Sequence, residues 1–256
     1  MSTINFELRT EHLALARGGQ QLIDDLNWRV PPGEFWCILG QNGVGKTSLL
    51  YALSGLAPIS SGSIMLDDKP LHAWPAQALA LKRGFMPQQQ LDSFPSSVLA
   101  TVLVGRTPHR LGGGWDSDAD VAQAERALAA VGLTHKAKMD VLTLSAGERQ
   151  RVALAALLAQ APALMLLDEP VAHQDVSQQL AMMRFIRELA GKHAVISSCH
   201  DIDLAARFAT HVLLLAEGRH WLGTADEVLS VDTLQQAFDC RFELLESGGV
   251  RSFIPY

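Results

Sequence analysis

EFWCILGQNGVGKTSLLYALSGL, residues 34–56, joins three kinds of sequence without a spacer. Glu34 to Leu39 is short, apolar and aromatic, the composition of a strand buried on both faces. At the other end, from Thr47 onward, Leu49, Leu50 and Leu53 fall on one side of a helix. Between them GQNGVGKT, Gly40 to Thr47, fits the pattern GxxxxGK(S/T). Glycines there let backbone N–H groups wrap phosphate, Lys46 reaches the terminal phosphates, and the Thr47 hydroxyl is a magnesium ligand. Strand, loop and helix in this order predict an α/β fold with a P-loop NTPase core. The expected nucleotide contacts are Gly40, Gln41, Asn42, Gly43, Gly45, Lys46, Thr47 and Ser48.

A phosphate loop needs an acid opposite it, and ALMLLDEP, residues 163–170, supplies two. Asp168 ends a buried strand, at the edge where parallel sheets bind ligands, and can hold a magnesium-bound water beside Thr47. Glu169 then faces the attacking water. Taken alone, an acid pair after an apolar strand is also an ordinary solvated strand end. His200, in SSCHD, closes the next strand within reach of a terminal phosphate; a lone histidine is otherwise structural. Cys199 beside it reads as a small buried residue, since nothing near it would resolve an oxidised thiol.

Outward from these motifs the chain divides in three. FELRTEHLALA and LIDDLNWRV alternate as half-buried antiparallel strands, ended by the turn Pro31-Pro32-Gly33. From Gln88 to Ala159 the strand signal fades. DADVAQAERALAAVG sets Val121, Ala124, Leu128 and Val131 at helical spacing, with Asp118 and Asp120 at its positive end and Gly132 as a stop. LGGGWDSD before it reads as a surface loop. The last third returns to alternation: VSQQLAMMRFIRELAG is a helix ending at Gly191, and HAVISSCH and THVLLLAEG are strands, the order of a parallel sheet with crossover helices. The expected division is a core of residues 1–87 and 160–223, a mainly helical insertion over 88–159, and a tail over 224–256 of one or two helices and a strand-like end.

Bulk properties narrow the class. The chain has 256 residues, 48% hydrophobic and 19% charged, with a formal net charge of -6 and no Lys/Arg cluster. That balance argues against a general nucleic-acid binder. MSTINFELRT lacks the charged start and apolar stretch of a signal peptide. The longest apolar run, Val152 to Leu167, is broken by Gln160 and Pro162. Cys37, Cys199 and Cys240 are scattered without CxxC spacing and suit a reducing compartment. The expectation is a cytoplasmic protein that deals with a membrane through a partner.

One stretch remains. LSAGERQR, Leu144 to Arg151, has Ser145 three residues ahead of Glu148, the mark of a capping box at a helix start. Helix starts attract anions, yet the chain already has a phosphate loop. By itself the stretch is a well-capped helix. In the order phosphate loop, LSAGERQR, DEP and lone histidine, however, the chain resembles the nucleotide-binding subunit of an ABC transporter, over nearly its whole length.

The resemblance implies ATP and Mg2+ as ligands, and a head-to-tail pair in which LSAGERQR, similar to the signature LSGGQ, caps ATP held by a second copy. Ser145, Ala146, Gly147 and Glu148 would then act on the partner's nucleotide. It makes Glu169 the catalytic base, His200 the switch histidine and Asp175 the acid of the following loop. Gln88, in FMPQQQ, matches the glutamine that senses magnesium or water and joins the core to the insertion; the alternative is a hydrophilic loop. Arg17 aligns where an aromatic stacks on adenine; a guanidinium can stack too, or remain a solvated strand end. Among the departures, Ala146 replaces a signature glycine, with a methyl that crowds the phosphate or forbids φ > 0. Glu148 replaces a glutamine but keeps the capping box, and Gln174, in VAHQD, stands for a leucine.

TVLVGRTPHR, LSAGERQRVALAALLAQ, SCHDIDLAARFA and PLHAWPAQALALKRGFMPQQQ resemble the ATPases of importers for iron-siderophores, haem and vitamin B12. Such a subunit would lie on the cytoplasmic face of the inner membrane under a multi-span permease, served indirectly by a substrate-binding protein. The alternatives are an importer ATPase for another cargo and a soluble ABC ATPase without transport. The latter usually carries a long coiled coil or a second cassette, and this chain has neither. A P-loop kinase would leave LSAGERQR idle.

Overall fold

The computed structural model describes residues 6–88, 94–110, 114–172 and 174–256. Strands β1 (Leu8–Arg17) and β2 (Gln20–Val30) form the expected antiparallel pair, followed by β3 (Phe35–Gly40), one residue later than its apolar run suggests. Helix α1 (Lys46–Leu53), strands β4 (Ser61–Leu66) and β5 (Lys69–Pro70), helix α2 (Ala76–Lys82) and strand β6 (Arg83–Met86) come next. Helices α3 (Val98–Leu103), α4 (Asp118–Ala130) and α5 (Ala146–Gln160) fill the middle third. Alternation resumes with β7 (Leu164–Leu167), α6 (Val176–Ala190), β8 (Ala194–Ser198), α7 (Ile202–Phe208), β9 (His211–Ala216) and β10 (Arg219–Thr224). Two short helices, α8 (Ala225–Val228) and α9 (Val231–Phe238), lead to the hairpin β11 (Phe242–Ser247) and β12 (Val250–Pro255).

Two sheets carry the core. One is antiparallel, in the order β2-β1-β4-β5; the other has six strands, β10-β9-β3-β8-β7-β6. In the second, β3, β6, β7, β8 and β9 are mutually parallel and β10 joins the edge antiparallel. Its central strands alternate between two hydrophobic clusters. Trp36, Ile38, Leu164, Leu166 and Ile196 face α1 and the antiparallel sheet. Phe35, Cys37, Leu39, Met165, Leu167 and Val195 face α6, α7 and the C-terminal elements. Both faces being covered explains why these strands read as unbroken apolar runs.

The helical third leaves the sheet after β6 and returns into β7, its hydrogen-bonded neighbour, with Arg83 paired to Leu164 and Met86 to Leu167. It has its own cluster, including Val98, Val102, Ala124, Leu128, Val152 and Ala155. The stripe expected on α4 is shifted: Val121 is half-buried and Ala127 is inside. Ser117 and Asp120 form a full capping box there, and the Asp120 carboxylate also accepts from Arg106 Nε at 2.8 Å. Leu111 to Gly113 of the LGGGWDSD loop, Gln89 and Gln90 of FMPQQQ, and His173 of VAHQD lie outside the described residues. The segment after β10 joins the core: Leu234, Ala237, Phe242 and Phe253 pack in the same cluster as Phe35. No described helix is long and apolar enough to cross a membrane.

Candidate functional site

The loop after β3 is shaped by glycine. At Gly40 (φ +142) a Cβ would stand 2.4 Å from the Leu215 carbonyl oxygen, so no side chain fits there without moving β9. Gly43 and Gly45 also have positive φ, +82 and +115, and Gly45 is the N-cap of α1. Lys46 opens that helix 5% exposed and folds its ammonium over the loop, donating to the carbonyls of Gly40 at 2.7 Å and Gln41 at 3.0 Å. Burial pulls the lysine below its usual range, while Glu169 and Asp168 push it back up. Those carbonyls hold the ammonium in the place from which an anion in the loop would draw it.

The two acids after β7 meet this loop from the other side. Thr47 Oγ1 donates to Asp168 Oδ1 at 3.2 Å, and Ser198 Oγ donates to the same oxygen at 2.7 Å. Glu169 follows with a left-handed backbone, φ +49, and its N–H donates to Ser198 Oγ at 2.8 Å. Its carboxylate is shared: Gln88 Nε2 donates to Oε2 at 2.6 Å, and His200 Nε2 is in hydrogen-bond contact with Oε1. The Gln150 amide reaches the Glu169 carbonyl at 3.4 Å. The loop, Glu169 and His200 line an open cleft of about 400 Å3, together with Arg17, Gln20 and Leu22.

Thus Gly43, Gly45, Lys46, Thr47, Ser48, Asn42, Arg17, Glu169 and His200 share one cleft, with Asp168 and Gln88 in contact with members of it. Arg17 is an exposed strand end at the rim, a placement that suits either reading of it. Gly40 and Gln41 lie under the Lys46 ammonium.

The second anion-seeking feature is elsewhere. Ser145 caps α5 and accepts from Glu148 N at 3.3 Å, while Glu148 Oε2 accepts from Ser145 N at 3.2 Å. Glu148 Oε1 also takes Lys136 Nζ at 2.5 Å, which holds its carboxyl below the usual range. Ser145 and Ala146 are exposed, and neither they nor Gly147 and Glu148 line the cleft. Ala146 is the first residue of α5 and is not among the positive-φ positions, so its methyl imposes no backbone strain. The backbone half of that concern is corrected, because a helix N1 residue takes ordinary right-handed angles. Asp175 caps α6, accepting from Gln178 N at 2.9 Å and Ser177 Oγ at 2.6 Å, and these donors lower its pKa, the hydroxyl most. A Cβ on Gly147 would lie 2.8 Å from Gln178 Oε1, so the starts of α5 and α6 adjoin.

Ser198 and Gln150 escaped the sequence reading. Both are buried polar residues, but Ser198 follows another serine and Gln150 lies between two arginines, so neither stands out in the sequence. Cys199 is 3% exposed and burial pushes its thiol up to about 12, which leaves it an inert core residue.

Among the described residues no group of three or more His, Cys, Asp or Glu side chains is placed to hold a metal. One hydroxyl and one carboxylate, Thr47 and Asp168, are instead the donor set for a hard cation that takes its other ligands from phosphate and water. Both hydrogen bonds to Asp168 fall on Oδ1, and Oδ2 takes none among the described residues. The site fits magnesium in this respect.

The sequence profile of the ABC transporter family matches residues 23–172. The chain is 38% identical over 226 residues to the cobalamin import ATP-binding protein BtuD of Halobacterium salinarum, covering 87% of this chain and 56% of the relative. It therefore spans little more than half the length of that protein. It is 40% identical over 238 residues to the hemin import ATP-binding protein HmuV of Pseudomonas entomophila, covering 90% of this chain and 92% of the relative. In three dimensions it is similar to a chain of an ABC transporter described as metal-chelate type, in an inward-facing conformation. The TM-score is 0.87 at 27% identity, over 99% of this chain and 98% of the other.

Proposed function

Because the chain belongs to the ABC transporter family, we propose that it is the ATP-hydrolysing subunit of an importer for a metal chelate, an iron-siderophore, haem or vitamin B12. The cargo class is supported by the cobalamin and hemin importers among its relatives. ATP binds with its phosphates in the loop from Gly40 to Thr47, and Lys46 exchanges its two loop carbonyls for phosphate oxygens. Thr47 and Asp168 hold Mg2+, which when bound neutralises charge on the terminal phosphates. Glu169 takes the proton of a water aimed at the γ-phosphorus, whose bond to the bridging oxygen of ADP breaks as the new P–O bond forms. His200, released from Glu169 Oε1, donates to the γ-phosphate oxygens. The observation that carries this is the Glu169 carboxylate, held at the mouth of the phosphate loop by Gln88 on one oxygen and His200 on the other.

Ser145 to Glu148 act on the nucleotide of a second copy. The exposure of Ser145 and Ala146, and the placement of all four away from the cleft of their own chain, support a head-to-tail dimer, and the partner's approach would bring a helix start onto the γ-phosphate. The Asp175 cap lies next to that helix start and belongs to the same interface. A groove of about 530 Å3 between β6 and α5, floored by Met86 and Ala156 and edged by exposed Val104, supports docking of a multi-span permease next to Gln88. The subunit thus works on the cytoplasmic face of the membrane, and a substrate-binding protein serves it only through the permease.

The test is the solution mass of Glu169→Gln with and without ATP, beside the same variant carrying Ser145→Arg. A dimer that needs ATP and is lost in the double variant is expected. A double variant that dimerises as well as its Glu169→Gln parent would overturn the trans role of α5.

A further inference from the structure

We propose that Ser198 is a positioning residue that holds both acids of the hydrolytic site in working geometry. The inference rests on the roles given above to Asp168 and Glu169. Ser198 ends β8 fully buried, in a strand that opens with the apolar run Ala194, Val195 and Ile196. Its single oxygen does two things at once: it donates to Asp168 Oδ1 at 2.7 Å and accepts from the Glu169 N–H at 2.8 Å. A hydroxyl is the smallest group able to do both, and a buried strand end leaves no water to replace it.

The two bonds address different problems. Asp168 Oδ1 is occupied by Ser198 and Thr47, which fixes the carboxylate plane and keeps Oδ2 free of protein donors among the described residues. An unanchored carboxylate would rotate and spread its charge over several orientations. Glu169 has a left-handed backbone, φ +49, a conformation that a non-glycine residue keeps only when its surroundings insist. The Ser198 oxygen takes the amide on the near side of that residue and the Gln150 amide takes its carbonyl on the far side, at 3.4 Å. The Glu169 side chain therefore leaves the strand end toward Gln88 and His200 rather than continuing the pleat of β7. One serine on the neighbouring strand thus sets the aim of the acid and of the base together.

Steady-state hydrolysis and nucleotide binding test this in Ser198→Ala, Ser198→Thr and Ser198→Cys. The alanine is expected to lower kcat roughly 10- to 100-fold, the range for lost outer-shell partners, with a smaller rise in KM for MgATP. Affinity for a fluorescent ATP analogue in EDTA should match the wild type, while the added affinity conferred by Mg2+ shrinks. Threonine, which keeps the hydroxyl, should restore most of the turnover. A serine that merely fills the strand end would lower the melting temperature and leave the kcat-to-KM split and the Mg2+ increment alone. Turnover in Ser198→Ala within about twofold of wild type would overturn the proposal. Where the alanine does not fold, Ser198→Cys keeps the volume with a thiol that is a poor donor and acceptor, and normal turnover there overturns it equally. A wild-type protein that hydrolyses no ATP would instead overturn the functional reading beneath it.

Discussion

Gln88 Nε2 stands 2.6 Å from Glu169 Oε2, although 81 positions of chain separate the two residues. They are neighbours because each follows one of two adjacent parallel strands, β6 and β7. The amide that marks the exit into the helical third therefore touches the Glu169 side chain in the phosphate-loop cleft. Gln88→Ala should leave ATP affinity unchanged and lower cargo moved per ATP by roughly 2- to 30-fold, the span of coupling terms carried by one residue. Transport and hydrolysis measured on the same reconstituted vesicles would decide it, and an unchanged ratio would remove Gln88 from the coupling between core and insertion.

Lys46→Ala removes the buried ammonium over the phosphate loop. Hydrolysis should fall by a factor on the order of 100 or more, as with other donors aimed at developing charge. Phosphate release at saturating ATP is the measurement, and ordinary turnover in this variant would remove the loop from the chemistry.

The Asp120 carboxyl is held below its ordinary value of 3.8 by the Ser117 hydroxyl first and by Arg106 next. Such a group contributes stability that is complete above the unfolded value and is lost as pH falls below it. Asp120→Asn should therefore melt lower than wild type at pH 7, with the gap closing as pH drops below about 4. Thermal midpoints across pH 3 to 7 would show a constant gap if the carboxylate were a bystander.

Of the three thiols, Cys37 and Cys199 are buried and pushed well up by that burial, whereas Cys240 is half-exposed. Iodoacetamide at neutral pH should label Cys240 alone in the folded protein and all three after unfolding. Peptide masses read this directly. Labelling of Cys199 without denaturant would contradict its place in the core.

Gly105 lets the turn after α3 lie on α5, since a Cβ there would stand 2.0 Å from the Ala156 carbonyl oxygen. That contact is backbone and cannot swing away. Gly105→Ala should cost about 1 to 3 kcal/mol of stability, as overpacking typically does, with the loss seen in denaturant midpoints.

What the sequence disclosed depended on range. The strand-loop-helix around Gly40 and the helix from Val176 to its stop at Gly191 are local, set by periodicity and punctuation, and both were legible. Lys46 was nameable from the spacing of its glycine motif, and Asp168, Glu169 and His200 from their places just after apolar strands in combination with that motif. Ser198 was not, since the second serine of SSCHD reads as an ordinary strand end until the fold brings β7 alongside β8. The left-handed turn at Glu169 left no mark either, because that conformation is imposed by partners on other elements rather than by glutamate itself. On α4 the register slipped from Val121 toward Ala127, since periodicity gives a stripe and packing chooses its centre.

The helical third leaves β6 and re-enters at β7, and the two strands run the same way. Parallel neighbours cannot be joined by a tight hairpin; the chain has to travel back the length of the sheet before it can start again. Helix α5 makes that journey, with Gln150 near its start touching the Glu169 carbonyl beyond β7, and Gln160 at its end touching the Arg83 carbonyl where β6 begins. Its direction is thereby dictated, and its first turn opens beside the loop that follows β7. LSAGERQR lies where it does by a rule of connectivity: a helix returning through this crossover presents its positive end beside the acids that follow β7.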